Sequence, residues 1–279
     1  MFATFAIFLR EGIEASMIIS VLLAYLKKSG EEDKIRYVIA GVIAALATAG
    51  VIGTVLYLTV HTYAGTRLQT IIETILFLIA IVVLTYMTFW MTAHAREIPS
   101  SLRARAESAM GENSRRERGA LFFIAYQSVV REGMEAMVFT LALVFANGAR
   151  SSVIGAAGGI GASLIFAYAV YHLGKRINMA RAFRVLGVAL MVFAAALVVD
   201  AVENLQALGW LPFLTHPLWN TTALLSENSN LGDVAHSLLG YAAQPTPLEV
   251  TAWLAYLSVA VVVFLTITRR RPARTRAQS

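Results

Sequence analysis

The chain has 279 residues, of which 58% are hydrophobic and only 14% charged, against about 25% charged in a soluble domain. Its mean hydropathy of +0.66 excludes a soluble globular domain, and it excludes a disordered chain, which needs low hydrophobicity. The formal net charge is +6 and there is no cysteine, so disulfides, thiolate metal sites and iron–sulfur clusters are excluded.

A membrane-spanning helix takes roughly 20 apolar residues. Apolar runs bounded by charges or Gly/Pro clusters occur at roughly 2–26, 36–60, 70–94, 120–146, 153–173, 182–205 and 249–268. These runs are too long for barrel strands and do not alternate in polarity. The predicted fold class is therefore all-α: a polytopic membrane protein of seven transmembrane helices. Met1 to Leu9 has no basic n-region and reads as the start of the first span, not as a cleavable signal.

Basic residues predict the orientation. All but four of the 23 Lys and Arg fall on one side of a seven-span chain. They are Lys27, Lys28, Lys34 and Arg36; Arg96, Arg103, Arg105, Arg115, Arg116 and Arg118; Lys175, Arg176, Arg181 and Arg184; and Arg269, Arg270, Arg271, Arg274 and Arg276. The opposite side has only Arg67 and Arg150. The N-terminus is then outside and the C-terminus cytoplasmic. The C-terminal arginine run is a topology signal that touches membrane lipid, and no nucleic-acid partner is expected.

The remaining two basic residues lie inside spans. The first span contains Arg10-Glu11-Gly12-Ile13-Glu14-Ala15 and the fourth contains Arg131-Glu132-Gly133-Met134-Glu135-Ala136. Three spans per unit is an odd number, so the two copies run in opposite directions, as in an inverted-topology transporter repeat. Small residues support it. The second span carries Gly41, Ala45, Ala49 and Gly53, and the fifth carries Gly155, Gly159, Ser163 and Ala167 in the same spacing. Such stripes let helix backbones approach closely in lipid. The expected organisation is one integral membrane domain with repeat one at 1–95, repeat two at 119–206, an outer loop at 207–248 and a seventh helix at 249–268.

At about 100° per residue, Arg10, Glu11 and Glu14 share one helix face, and so do Arg131, Glu132 and Glu135. Each charge near the bilayer midplane costs about 2.5–3.5 kcal/mol, so all six must face inward and meet one another. Four Glu against two Arg leave two excess negative charges. A bound multivalent cation offsets them, and a structural ion-pair lock does not. Carboxylate oxygens are hard donors suited to Mg, Ca, Mn and iron. Met17, Met134 and Met137 read as packing. The Glu-x-x-His element of di-iron bundle oxidases is absent.

The doubled Arg-Glu-Gly-x-Glu motif in the first and fourth of seven spans resembles the oxidase-dependent iron permeases, which include the fungal high-affinity iron permease and the bacterial EfeU-type ferrous iron permease. The similarity covers nearly the whole chain. It implies a non-enzymatic permease that imports iron, ferrous or ferric, across the plasma membrane, with no organic cofactor. It implies iron handling by Glu11, Glu14, Glu132 and Glu135 with the motif arginines Arg10 and Arg131. The family's Asp-Ala-x-Glu segment is matched by Asp200-Ala201-Val202-Glu203. The resemblance further implies a separate extracytoplasmic oxidase or iron-binding partner protein.

Asp200, Glu203 and Glu73 are candidates for admitting iron at the outer mouth. His61, His216 and His236 fall on outer segments and read as hydrated side chains. The stretch 206–248 is expected to lie on the membrane or re-enter it as a lid, and 95–119 to be a solvated helix. Two other readings remain open: a permease for another divalent cation such as manganese or lead, and a membrane scaffold or redox protein with structural Arg–Glu clusters.

Overall fold

The computed structural model describes residues 1–94, 98–109, 114–173, 179–226 and 229–269. The basic residues Arg96, Lys175, Arg176, Arg270, Arg271, Arg274 and Arg276 lie outside them. Among the described residues there is no strand. The helices are α1 Phe2–Lys28, a 3-10 turn at Glu32–Lys34, α2 Ile35–Thr62, α3 Arg67–His94, α4 Ile98–Ala109, α5 Ser114–Asn147, α6 Ala149–Leu173, α7 Met179–Ala207, α8 Asn230–Leu239 and α9 Pro247–Arg269. Each of the seven expected apolar runs falls within one long helix. Five of these helices, α2, α3, α6, α7 and α9, contain stretches long and apolar enough to cross a membrane. In the other two, α1 and α5, three motif charges each interrupt the apolar run while the helix continues.

The chain forms two compact units, Met1–Leu76 with Arg96–Asn178, and Phe77–Ala95 with Met179–Ser279. In the first, α1 packs along α6 and α2 along α5, while α1 and α5 also meet. The small residues make these approaches possible, because helix axes close up only where no side chain intervenes. A Cβ added at Gly41 of α2 would press on the Phe122 carbonyl oxygen and lie 3.1 Å from both Ala125 Cβ and Tyr126 N. One added at Gly155 of α6 would press on the Met1 carbonyl oxygen, 2.9 Å from Thr4 Cβ and 3.1 Å from Phe5 N. Met1, Thr4 and Phe5 stand as far before Arg10 as Phe122, Ala125 and Tyr126 stand before Arg131. The same atom types therefore meet corresponding glycines in both helix pairs.

One end of this unit has an apolar core of Ile18, Leu22 and Leu26 from α1, Val38 from α2, Leu121 and Ala125 from α5, and Leu102 and Ala106 from α4. Within the segment expected as a solvated helix, α4 is thus solvated on one side only. Arg103 and Glu107 are exposed and pair at 3.0 Å, while Leu102 and Ala106 are buried. Arg and Glu dominate the composition of this segment, but two apolar positions four apart are enough to seat a helix.

In the second unit, α7 packs against α8 and α9. Its inner face runs through Leu190, Met191, Ala194, Leu197 and Ala201, all buried. Among the described residues, the expected membrane-surface segment has turns and irregular backbone over 208–226 and then the short helix α8, which packs on α7. Gly240 ends α8 at φ 69°, a left-handed conformation that favours glycine. A Cβ there would also lie 2.9 Å from Ala196 Cα of α7. Trp253 of α9 donates from its indole nitrogen to Leu239 O at 2.8 Å.

Candidate metal centre

The site is built on α1 and α5, long helices with no internal proline and with their charges mid-helix. Gly12 and Gly133 let the neighbouring helices close over the motifs. A Cβ at Gly12 would collide with the Ser163 side chain of α6, and one at Gly133 would lie 2.9 Å from Ala49 Cβ of α2.

The two motif copies are paired differently. Arg10 is 2% exposed and donates from Nε to Glu14 Oε1 at 2.9 Å, with its Nη1 3.8 Å from Glu11 Oε1. Arg131 has a side chain 51% exposed; it donates from Nε and Nη2 to Glu132 Oε1 at 3.2 and 2.9 Å, and its Nε is 3.6 Å from Glu135 Oε1. Helical spacing placed Arg and Glu on one face, yet i,i+4 geometry dominates only in the first copy.

Glu11 of α1 meets Glu132 and Glu135 of α5, with one oxygen from each within 4.8 Å of the others. Among the described residues this is the only group of three or more His, Asp and Glu so placed. Both oxygens of Glu11, Oε2 of Glu132 and Oε2 of Glu135 are buried without a hydrogen-bond partner. Arg10 Nη1 and Nη2 also have none. Leaving one buried polar group unsatisfied costs about 1–3 kcal/mol, more for charged groups. Convergent carboxylate oxygens are the donor type that hard cations take. Glu14, which sequence spacing placed with the other three, is held by Arg10 outside this trio.

The outer candidates fall elsewhere. Glu73, on α3 in the first unit, accepts from Gln69 Nε2 at 2.6 Å. Asp200 and Glu203 lie on α7 in the second unit, with Glu203 exposed. Asp200 Oδ1 is 3.1 Å from His236 Nε2 of α8, and His236 Nδ1 is 2.8 Å from Tyr241 O. Sequence reading treated His236 as a hydrated side chain. Its 36-residue separation from Asp200 left nothing local to signal the pair, although α8 has an N-cap at Ser229, which accepts from Gly232 N at 3.0 Å.

Below the apolar core, Lys34 Nζ donates to Glu117 Oε2 at 2.6 Å and pairs with Glu31 Oε2 at 3.1 Å. The bond to Glu117 is the main reason the Lys34 ammonium is held above its usual range. This bond ties the 3-10 turn after α1 to the start of α5.

Comparison with known proteins gives the family. The Iron permease FTR1 family profile matches residues 1–270, and the chain belongs to that family. That is a family of transporters, and its several apolar helices make the protein a multi-pass membrane protein. The chain is 29% identical over 265 residues to the ferrous iron permease EfeU of Escherichia coli O6:K15:H31 (strain 536 / UPEC), covering 95% of each chain. It is equally similar to EfeU of Yersinia pestis, covering 95% of this chain and 93% of the relative. The relative from Shigella sonnei (strain Ss046) is 29% identical over 264 residues. No solved structure matches the chain.

Proposed function

We propose that this iron permease imports ferrous iron across the bacterial inner membrane through a buried site between α1 and α5. The observation that carries the reading is the trio Glu11, Glu132 and Glu135, which bring one oxygen each within 4.8 Å and of whose six oxygens four are buried without a hydrogen-bond partner. Three carboxylates so close repel one another by about 3–4 kcal/mol per pair at an effective dielectric near 20. A divalent cation turns that repulsion into attraction. With Glu14, Arg10 and Arg131 the motifs carry two net negative charges, which one ferrous ion neutralises. A structural lock does not explain why both Glu11 oxygens are left unsatisfied. The name of the relatives, ferrous iron permease, agrees with the divalent form.

In this reading Arg10 and Glu14 hold the first motif in register, and Arg131 fixes Glu132 so that its Oε2 points to the ion. The corresponding glycine contacts at Gly41 and Gly155 support a pseudo-two-fold inverted repeat. All seven long helices span the membrane, with the N-terminus outside. The charged α1 and α5 are tolerated because Arg10, Glu11, Glu14 and Glu132 are buried in protein, which lowers the cost of charge within a span. Asp200, Glu203 and Glu73 attract cations at the outer surface. A separate extracytoplasmic oxidase or iron-binding protein belongs to the same proposal and rests on the family resemblance.

The test is anaerobic uptake of radioactive ferrous iron into proteoliposomes. Glu132→Ala and Glu135→Ala should each abolish uptake while the protein still inserts and runs as a single species. Retained uptake in either variant overturns the site.

A further inference from the structure

The structure points to a second site, unrelated to the iron trio, at the charged end of α2 and α5. Arg36 lies at the start of α2, and Arg118 on α5 is followed by the apolar run from Ala120. Their guanidinium carbons lie 4.9 and 5.7 Å from the centroid of one ring, that of Tyr37. The two positive charges are therefore no farther apart than those two distances combined. Both arginines are exposed. Among the described residues no carboxylate pairs with either guanidinium, and the Tyr37 hydroxyl has no hydrogen-bond partner. The acids that could serve are otherwise engaged or point away. Glu117 and Glu31 are turned to Lys34, and Glu32 and Asp33 are exposed without pairing to the arginines.

Two guanidiniums gathered on one aromatic ring attract the ring's π face but repel each other. They leave planar forks of N–H donors and one phenol O–H directed at no protein acceptor. That donor set matches a phosphate, which guanidinium binds bidentately. Both residues stand where charged sequence gives way to membrane-spanning sequence, the level of lipid headgroups. Lys34 adds a third positive charge whose own acids already balance it. We propose that Arg36, Tyr37 and Arg118 bind the phosphate of an anionic phospholipid, clamping α2 to α5 at the headgroup level. A basic pocket between membrane helices is a known geometry for such headgroups.

The experiment is calorimetric titration of the full-length protein in neutral detergent with short-chain phosphatidylglycerol, short-chain phosphatidylcholine and inorganic phosphate. Phosphatidylglycerol should bind, and the zwitterionic lipid and free phosphate should bind much more weakly. Each basic residue near an anionic lipid is worth about a five-fold gain, so R36Q/R118Q should weaken phosphatidylglycerol about 30-fold. Arg118→Lys keeps the charge but not the planar fork, and should weaken it several-fold in a protein whose fold is not in question. Inorganic phosphate binding as tightly as the lipid overturns the lipid as its source. Unchanged phosphatidylglycerol affinity in Arg118→Lys and in R36Q/R118Q overturns the site.

Discussion

Glu11→Gln separates a cation site from a structural lock, because the two make opposite predictions for stability. Glu11 is buried, shares a 4.8 Å cluster with the Glu132 and Glu135 carboxylates, and lies 3.8 Å from Arg10 Nη1. At an effective dielectric of about 20, each repulsion is about 3–4 kcal/mol and the attraction about 4 kcal/mol. Neutralising Glu11 therefore removes a net repulsion of about 3 kcal/mol. The new amide N–H can also donate to either neighbouring carboxylate, neither of whose Oε2 atoms has a partner. The metal-free variant should melt higher than the native protein by several degrees. Cation binding should move the other way. Losing a residue that merely supports a metal ligand costs ten- to hundred-fold in affinity, and losing a ligand costs at least that. Ferrous iron at 100 times its dissociation constant stabilises a single-site protein by about 2.7 kcal/mol, but by only about 0.4 kcal/mol after a hundred-fold loss. The assay is thermal unfolding in detergent under anaerobic conditions, with and without ferrous iron, for both proteins. A Glu11→Gln protein that melts lower without metal and keeps the native iron-induced shift would refute the reasoning.

Three further outcomes follow from the geometry. Gly155→Val should separate α6 from α1 and lower stability by about 1–3 kcal/mol, because its Cβ has backbone of Met1 and Phe5 in the way; Gly161→Ala, with open space at its Cβ, should be neutral or slightly stabilising by helix propensity, and denaturant unfolding of both decides. The raised Lys34 pKa stabilises the fold fully below the unfolded lysine value of about 10.4, and this is lost as pH rises through the folded value; the melting temperatures of native protein and Lys34→Met should thus differ by a constant amount from about pH 6 to 9 and converge only above about pH 10.4. Asp200→Asn and His236→Ala should each weaken iron uptake at limiting iron, and a double-mutant cycle should show coupling between them; strict additivity would show that the 3.1 Å pair does not act as a unit.

Much of this was legible in the sequence because a membrane imposes strong local rules. A helix must satisfy its own backbone hydrogen bonds in lipid, so apolar runs give helix positions directly, and the seven expected runs lie inside α1, α2, α3, α5, α6, α7 and α9. The intramembrane charges stood out because they are costly, and the repeated motif named Arg10, Glu11, Glu14, Arg131, Glu132 and Glu135 before any geometry was known. Contacts between distant segments were not legible. Lys34 with Glu117, Asp200 with His236, and Leu102 and Ala106 against α1 carry no local signature, since each depends on where another helix passes.

Sequence alone determined the helical membrane class, the six motif charges and their net excess of two carboxylates, because these follow from composition and helical period. The tertiary structure decided which carboxylates converge. The period puts all four glutamates on inward faces, but only the crossing of α1 with α5 brings Glu11, Glu132 and Glu135 within 4.8 Å. Glu14 is instead paired with Arg10 at 2.9 Å. Distances of a few ångströms between helices are set by packing at Gly12, Gly41, Gly133 and Gly155, and no one-dimensional pattern encodes them.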